Sequence, residues 1–293
     1  MADFMRDQAD GLRRMLTQSD VRMVSMASGC PGAGRSTAVI NIAAVLAGYG
    51  RKVLVIDEND GASGGSQPSG SRTYGNGRQG ARHSTSIEDA LVSGPRGVSM
   101  LALSAFAQAR TGSNRGEQER ALEGLRHLTK RFDFVLVDTC SGGGAQGDVL
   151  SASVLDTVIV TSAASQSITG AYALIKHLHH GDGRRRFHVL LNCVGSERDA
   201  RVIFGNMQRV AFRHLATSLQ FLGHVPRDER LRQAACRHQT VVEAFPSSPA
   251  ATAFRRVAES IANEAPNQDC SGGLENWMQS LLNSRLALAN AGV

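Results

Sequence analysis

Val21-Arg-Met-Val-Ser-Met-Ala-Ser-Gly-Cys-Pro-Gly-Ala-Gly-Arg-Ser-Thr-Ala-Val-Ile-Asn41 opens with an apolar run, crosses a glycine-rich stretch and resumes with apolar residues. That layout reads as a strand, a tight loop and the start of a helix. Inside it, Gly29-x-x-x-x-Gly34-Arg35-Ser36 matches the phosphate-loop spacing G-x-x-x-x-G-K-[ST] everywhere except at the lysine, which is Arg35. Such a loop points successive backbone N–H groups at an anion, and the helix behind it adds the positive end of its dipole. The Ser36 hydroxyl is then the candidate ligand of Mg²⁺. Arg35 keeps the positive charge, but its planar fork cannot sit between two phosphates as a compact ammonium does. The plainer reading is a tight turn; an apolar strand before and a helix after favour phosphate.

Working outward, the loop helix runs over about 36–49 and a strand follows at Lys52–Asp57. From 58 to 84 the chain is rich in Gly and Ser with scattered Arg, a composition that buries too little apolar surface to order firmly. Order is expected again at Ile87–Val92, with a strand at Val98–Leu103 and a polar helix over about 116–131. Phe132–Asp138 is an apolar strand ending in an acid. Further strands are expected at Val158–Thr161, His188–Cys193 and Phe221–Val225, with helices at about 167–179 and 197–215 and a helix opening at Pro226–Glu229. Strands apolar on both faces, alternating with helices, predict an α/β fold: a doubly wound, mainly parallel sheet with helices on both faces. In such sheets ligands bind at the carboxyl ends of the strands. Asp57 and Asp138 end two strands there and are candidate metal-site acids, Asp138 through the water shell of the ion.

The 293 residues, 42% hydrophobic, suffice for a sizeable core. The expected organisation is an N-terminal helix at 1–20, a nucleotide-binding domain at 21–264, a linker at 265–273 and an amphipathic helix at 274–293. The apolar runs are strand-length, so no membrane span is expected, and the polar start is not that of a secretory signal. Cys30, Cys140, Cys193, Cys236 and Cys270 are scattered without C-x-x-C spacing, which suits free thiols in a reducing compartment. The net charge of +6 permits contact with nucleic acid or anionic lipid, but it is dispersed and reads as solvated surface. The histidines show no metal-ligand spacing.

The order of these motifs resembles the MinD/ParA (SIMIBI) family of P-loop ATPases, and within it the flagellar-number regulators of the FlhG (FleN) type. The resemblance is carried by Asp7-Gln8-Ala9-x-x-Leu12-Arg13 near the N-terminus and by the segment Val160–Lys176 around Ser-Ile-Thr-Gly-Ala-Tyr. Leu219–Ala234 and Phe245-Pro-x-Ser-Pro249 carry the rest. It implies ATP or ADP with Mg²⁺ as cofactors, an ATP-dependent homodimer, and attachment to the cytoplasmic face of the inner membrane. Gly32, Ala33, Gly34, Arg35, Ser36 and Thr37 fall on its phosphate and metal positions, Asn192 on its adenine contact, and Pro226 in the loop flanking the base. It further implies that Asp7, Gln8, Ala9, Leu12 and Arg13 dock into the partner GTPase FlhF and stimulate it through Gln8, with flagellar switch or transcription-factor proteins as further partners.

The departures gather on hydrolysis. Relatives carry a second lysine where this chain has Cys30, and a water-orienting acid where it has Asn59. Neither a neutral thiol nor an amide can do that work. With Arg35, these changes predict slow or absent ATP hydrolysis, since loss of a trans-acting cation alone can cost about 10³-fold. The terminal helix sets Leu274, Trp277, Met278, Leu281 and Leu282 on one stripe, which suits a membrane anchor and equally a helix docked on the domain itself. A pseudo-ATPase scaffold in the same pathway is the second reading. A ParA-like partitioning protein on DNA comes last, since the terminal segments have no role there and no specific nucleic acid is expected.

Overall fold

The computed structural model describes residues 21–58, 91–102, 123–139, 156–182 and 186–264. The helix expected at 1–20, the tract after Glu58, the linker at 265–273 and the terminal helix lie outside the described residues, as do Asn59, Cys140 and Cys270. Eight strands form one sheet: β1 (Arg22–Ala27), β2 (Val53–Asp57), β3 (Leu91–Ser93), β4 (Ser99–Ala102), β5 (Phe134–Asp138), β6 (Asp156–Ser162), β7 (Arg186–Val194) and β8 (Ser218–Pro226). Their order is β3-β4-β2-β5-β1-β6-β7-β8. Every neighbouring pair is parallel except β3 with β4. The doubly wound parallel sheet read from the alternation of elements is the one observed.

β2 and β5 are buried along their whole length and β1 along all but its first residue, so helices must cover both faces. They are α1 (Arg35–Gly48), α2 (123–129), α3 (Ser165–Asp182), α4 (Glu197–Leu215), α5 (Glu229–Cys236), α6 (Val241–Ala244) and α7 (Pro249–Asn263). Along β6 the side chains alternate with the two-residue period of a strand. Val158 and Val160 enter the core shared with α1, α6 and α7, while Ile159 enters the core made with α3 and α4.

The sequence supplies its own helix stops. Ser196 starts α4 by accepting the Asp199 N–H at 3.1 Å, and Ala216 ends it in a left-handed turn with φ 49°. Asp228 serves two helices at once. One carboxylate oxygen accepts the Arg230 N–H at 2.9 Å in α5, and the other accepts the Ala250 N–H at 3.0 Å in α7. α6 and α7 were not anticipated, although Ser248-Pro249 is a helix-start pair and Ala250, Phe254, Val257 and Ile261 recur at helical spacing. The strand β3 was also not anticipated as such; it is a three-residue edge strand held only by β4.

Asn41 is fully buried in the middle of apolar α1. Its Nδ2 donates to the Thr37 carbonyl at 2.8 Å, and its Oδ1 accepts the Val241 N–H at 2.9 Å, fastening the start of α6 to the loop helix. Substituting Asn41→Ala strands that buried N–H. Urea unfolding is expected to show a loss of about 1–3 kcal/mol, the usual cost of an unmet buried donor.

Candidate nucleotide site

β1, β2, β5, β6 and β7 run in the same direction and finish at one edge of the sheet. The loop 28–34 leaves β1 at that edge and delivers the chain to Arg35, the first residue of α1. Gly32 and Gly34 take φ of 79° and 86°, which L side chains rarely adopt. Gly34 has a second constraint: a Cβ there would lie 1.9 Å from Nδ2 of Asn192. Gly29 meets α3 backbone to backbone, since a Cβ on it would lie 2.0 Å from the Gly170 carbonyl oxygen. Gly170 is therefore a loop-shaping residue that reading the residues singly missed. Its signal was a glycine inside a helix, where it is about 1 kcal/mol worse than alanine.

Asn192 ends buried beneath the loop. Its Nδ2 donates to the Ala33 carbonyl at 2.9 Å, and its Oδ1 accepts the Cys193 N–H at 3.0 Å. Pro226, expected in the loop flanking the base, ends the edge strand β8 and lines a cavity of about 470 Å³ with His224, Pro249 and Arg256. Cys30 stands partly exposed in the loop, its thiol 3.4 Å from the Pro31 carbonyl. Ser36 and Thr37, the next residues of α1, are half-buried.

Arg35 is where the geometry is most informative. Its guanidinium turns inward from the loop, and Nε donates to Oδ1 of Asp138 at 2.5 Å. The side chains are 6% and 4% exposed. Nη1 lies 3.5 Å from the Ser28 hydroxyl at the end of β1. Asp138 also takes a hydrogen bond from Ser36, and Asp57 sits opposite it in register on β2. Burial pushes the Asp138 carboxyl above the ordinary carboxylate range. The Arg35 charge pulls it down, the Asp57 charge adds to the rise, and the hydrogen bonds from Ser36 and Arg35 oppose it. Two of the three groups expected to hold Mg²⁺, Ser36 and Asp138, are thus bonded to one another, with a guanidinium already on the acid. A divalent ion does not fit on that carboxylate oxygen while Arg35 stays in place. Glu58, just past Asp57, is buried as well, and its N–H donates to the Asp138 carbonyl at 3.0 Å.

Comparison with known proteins places this geometry in context. The family model for 4Fe-4S iron sulfur cluster binding proteins of the NifH/frxC family matches residues 24–276. The antiactivator FleN of Pseudomonas aeruginosa is 28% identical over 276 residues, covering 92% of this chain and 97% of FleN. The flagellum site-determining protein YlxH of Helicobacter pylori is 23% identical, covering 90% of this chain and 91% of YlxH. Among solved structures, the cell division ATPase MinD of Pyrococcus furiosus superposes with a TM-score of 0.63 at 23% identity, covering 84% of this chain and all of MinD. Iron–sulfur clusters are held by cysteine thiolates. Among the described residues, Cys30, Cys193 and Cys236 are free, and no group of three or more metal-binding side chains stands together. The described residues therefore do not fit the cluster named in the family's description. Among them, too, no helix is long and apolar enough to cross a membrane.

Replacing Arg35 by Met removes the counter-charge from a buried carboxylate. Denaturant unfolding at neutral pH is expected to show a loss of about 3–5 kcal/mol. Without Arg35 the Asp138 carboxyl rises further, and a raised acid destabilises in its ionised form. The deficit is thus full above that raised value and shrinks as the pH falls through it. A deficit equal at neutral and acidic pH would contradict the pairing.

Proposed function

The chain belongs to the NifH/frxC family and, among P-loop proteins, to the MinD/ParA type of ATPase, and from that premise we propose that it is a nucleotide-binding regulator of flagellar number and placement. The observation that carries this reading is the similarity to FleN, which runs nearly end to end in both chains. YlxH, with its named role at the flagellum, supports the same assignment. The nucleotide half is supported by the loop itself: left-handed Gly32 and Gly34 at the carboxyl edge of a parallel sheet, leading into a 14-residue helix with no acid in its first turn.

ATP and ADP are the proposed ligands, held by Gly29, Gly32, Ala33, Gly34, Ser36 and Thr37. The metal half of the expected cofactor depends on Asp138, whose charge Arg35 already neutralises. Hydrolysis is proposed to be slow or absent. Cys30 and Asn59 cannot do the work of a cation and an acid, and Arg35 is committed to Asp138. That commitment favours the second reading, a pseudo-ATPase scaffold that binds nucleotide without turning it over. The segment Asp7–Arg13 is proposed to activate FlhF in trans through Gln8, orienting water as other GTPase glutamines do. The stripe Leu274–Leu282 is proposed to hold the protein on the cytoplasmic face of the inner membrane, and an ATP-dependent homodimer and flagellar switch or transcription-factor proteins complete the proposed partners.

Two measurements test these assignments. In a mixture with FlhF, the full chain is expected to raise the GTPase rate, and deleting residues 1–20 or substituting Gln8→Ala is expected to abolish the increase. A rate unchanged by the deletion would remove FlhF activation from the function. ATP turnover is expected near background. Combining Cys30→Lys, Arg35→Lys and Asn59→Asp is expected to raise it by about 10³-fold, the scale of a restored trans-acting cation.

A further inference from the structure

We propose that Arg35 takes the place of the metal ion in this site: its guanidinium is the permanent counter-charge of Asp138, and nucleotide phosphates bind the loop without a divalent cation. The inference rests on the nucleotide reading above and concerns how that same site is charged.

Three observations converge on Arg35. Its Nε donates to Oδ1 of Asp138 between two side chains withdrawn from solvent, a charge-assisted hydrogen bond. Its Nη1 lies 3.5 Å from the Ser28 hydroxyl, just past the end of β1, so the guanidinium sits beneath the loop. The Ser36 hydroxyl donates to the same carboxylate, so Arg35 and Ser36 converge on Asp138. A dication arriving on Asp138 would have to approach a fixed positive charge at hydrogen-bond range, or expel it. Expulsion would separate a buried guanidinium from the carboxylate it is paired with.

The charge balance points the same way. A site that sends its loop cation to the phosphates leaves both strand-end acids to attract a dication. Here one of the two, Asp138, is already paired with Arg35 inside the site. The phosphates still meet what does not depend on metal: the backbone N–H groups of residues 32–36 and the positive end of α1. Arginine suits this role and lysine does not. Its charge survives burial at any working pH, and its planar donors can reach a carboxylate and a hydroxyl together.

The test is isothermal titration of the full wild-type chain with ADP and with ATP, once in excess MgCl₂ and once in excess EDTA. The expected result is affinities that agree within about twofold, and in the Arg35→Lys variant an affinity at least about tenfold tighter in MgCl₂, the ordinary scale of coupling between two ligands. Circular dichroism checks that the variant is folded; the wild-type comparison decides the matter without it. Wild-type binding that collapses in EDTA overturns the metal-replacing role of Arg35 and leaves nucleotide binding standing. A folded Arg35→Lys variant that stays indifferent to Mg²⁺ also overturns it, because Arg35 would then not be the cause. Absence of binding in both conditions overturns the nucleotide reading and this inference together.

Discussion

β1 lies in the middle of a sheet whose two faces are covered by helices, and the chain stays buried through Ser28 before the loop meets solvent at Gly29. Backbone polar groups cannot go unpaired along that buried stretch. The features of the site can be read as responses to that constraint. The Ala33 carbonyl is met by Asn192, and the Met26 carbonyl by both the N–H and the hydroxyl of Thr139, at 3.2 and 3.0 Å. The loop has room to approach α3 because Gly29 meets Gly170 where any side chain would collide. Gly34 is required twice over, by its left-handed backbone and by the Asn192 amide beside it. What remains exposed is a short arc of backbone at the head of α1, and that arc is what an anion would find.

Charge obeys the same constraint more strictly. Two carboxylates, Asp57 and Asp138, stand opposite each other at adjacent strand ends, both nearly excluded from solvent. Desolvation alone would press toward protonation, as the raised Asp138 shows. A lysine in the loop could offer only one compact charge, to the ligand or to the acid. The arginine is longer, stays charged when buried and has donors in a plane, so it can satisfy Asp138 and rest against Ser28 at once. The substitution at position 35 therefore changes which group the loop cation serves as well as which cation it is. Arg22 shows the same use of arginine on a smaller scale. It donates to the Ile261 and Glu264 carbonyls at the end of α7 while lying 3.7 Å from Asp156. It thereby joins the last described helix to the first strand.

The sheet was legible in the sequence because a doubly covered strand has to be written in apolar residues. Phe134–Asp138 and Val53–Asp57 announced themselves in that way, and α4 came out over its full length because Ser196, the first-turn acids and the last-turn Arg213 and His214 mark both ends. α7 escaped because its buried side is largely alanine, at Ala250, Ala251, Ala253 and Ala258, a weak apolar signal that only packing against α1 and β8 makes decisive. The shape of the loop was legible, since glycine spacing between a strand and a helix marks the turn in which Gly32 and Gly34 take their left-handed backbone. The direction of Arg35 was not legible. A sequence shows that a cation has been exchanged for another, but Asp138 lies 103 residues further along the chain, and only the register of β5 beside β1 brings it within 2.5 Å. Asn192 was out of reach for a related reason. The residue stands out near the end of its strand, yet whether its amide faces a ligand or the loop's own carbonyl depends on how closely Gly34 approaches it. That distance is set by the absence of a single methyl group.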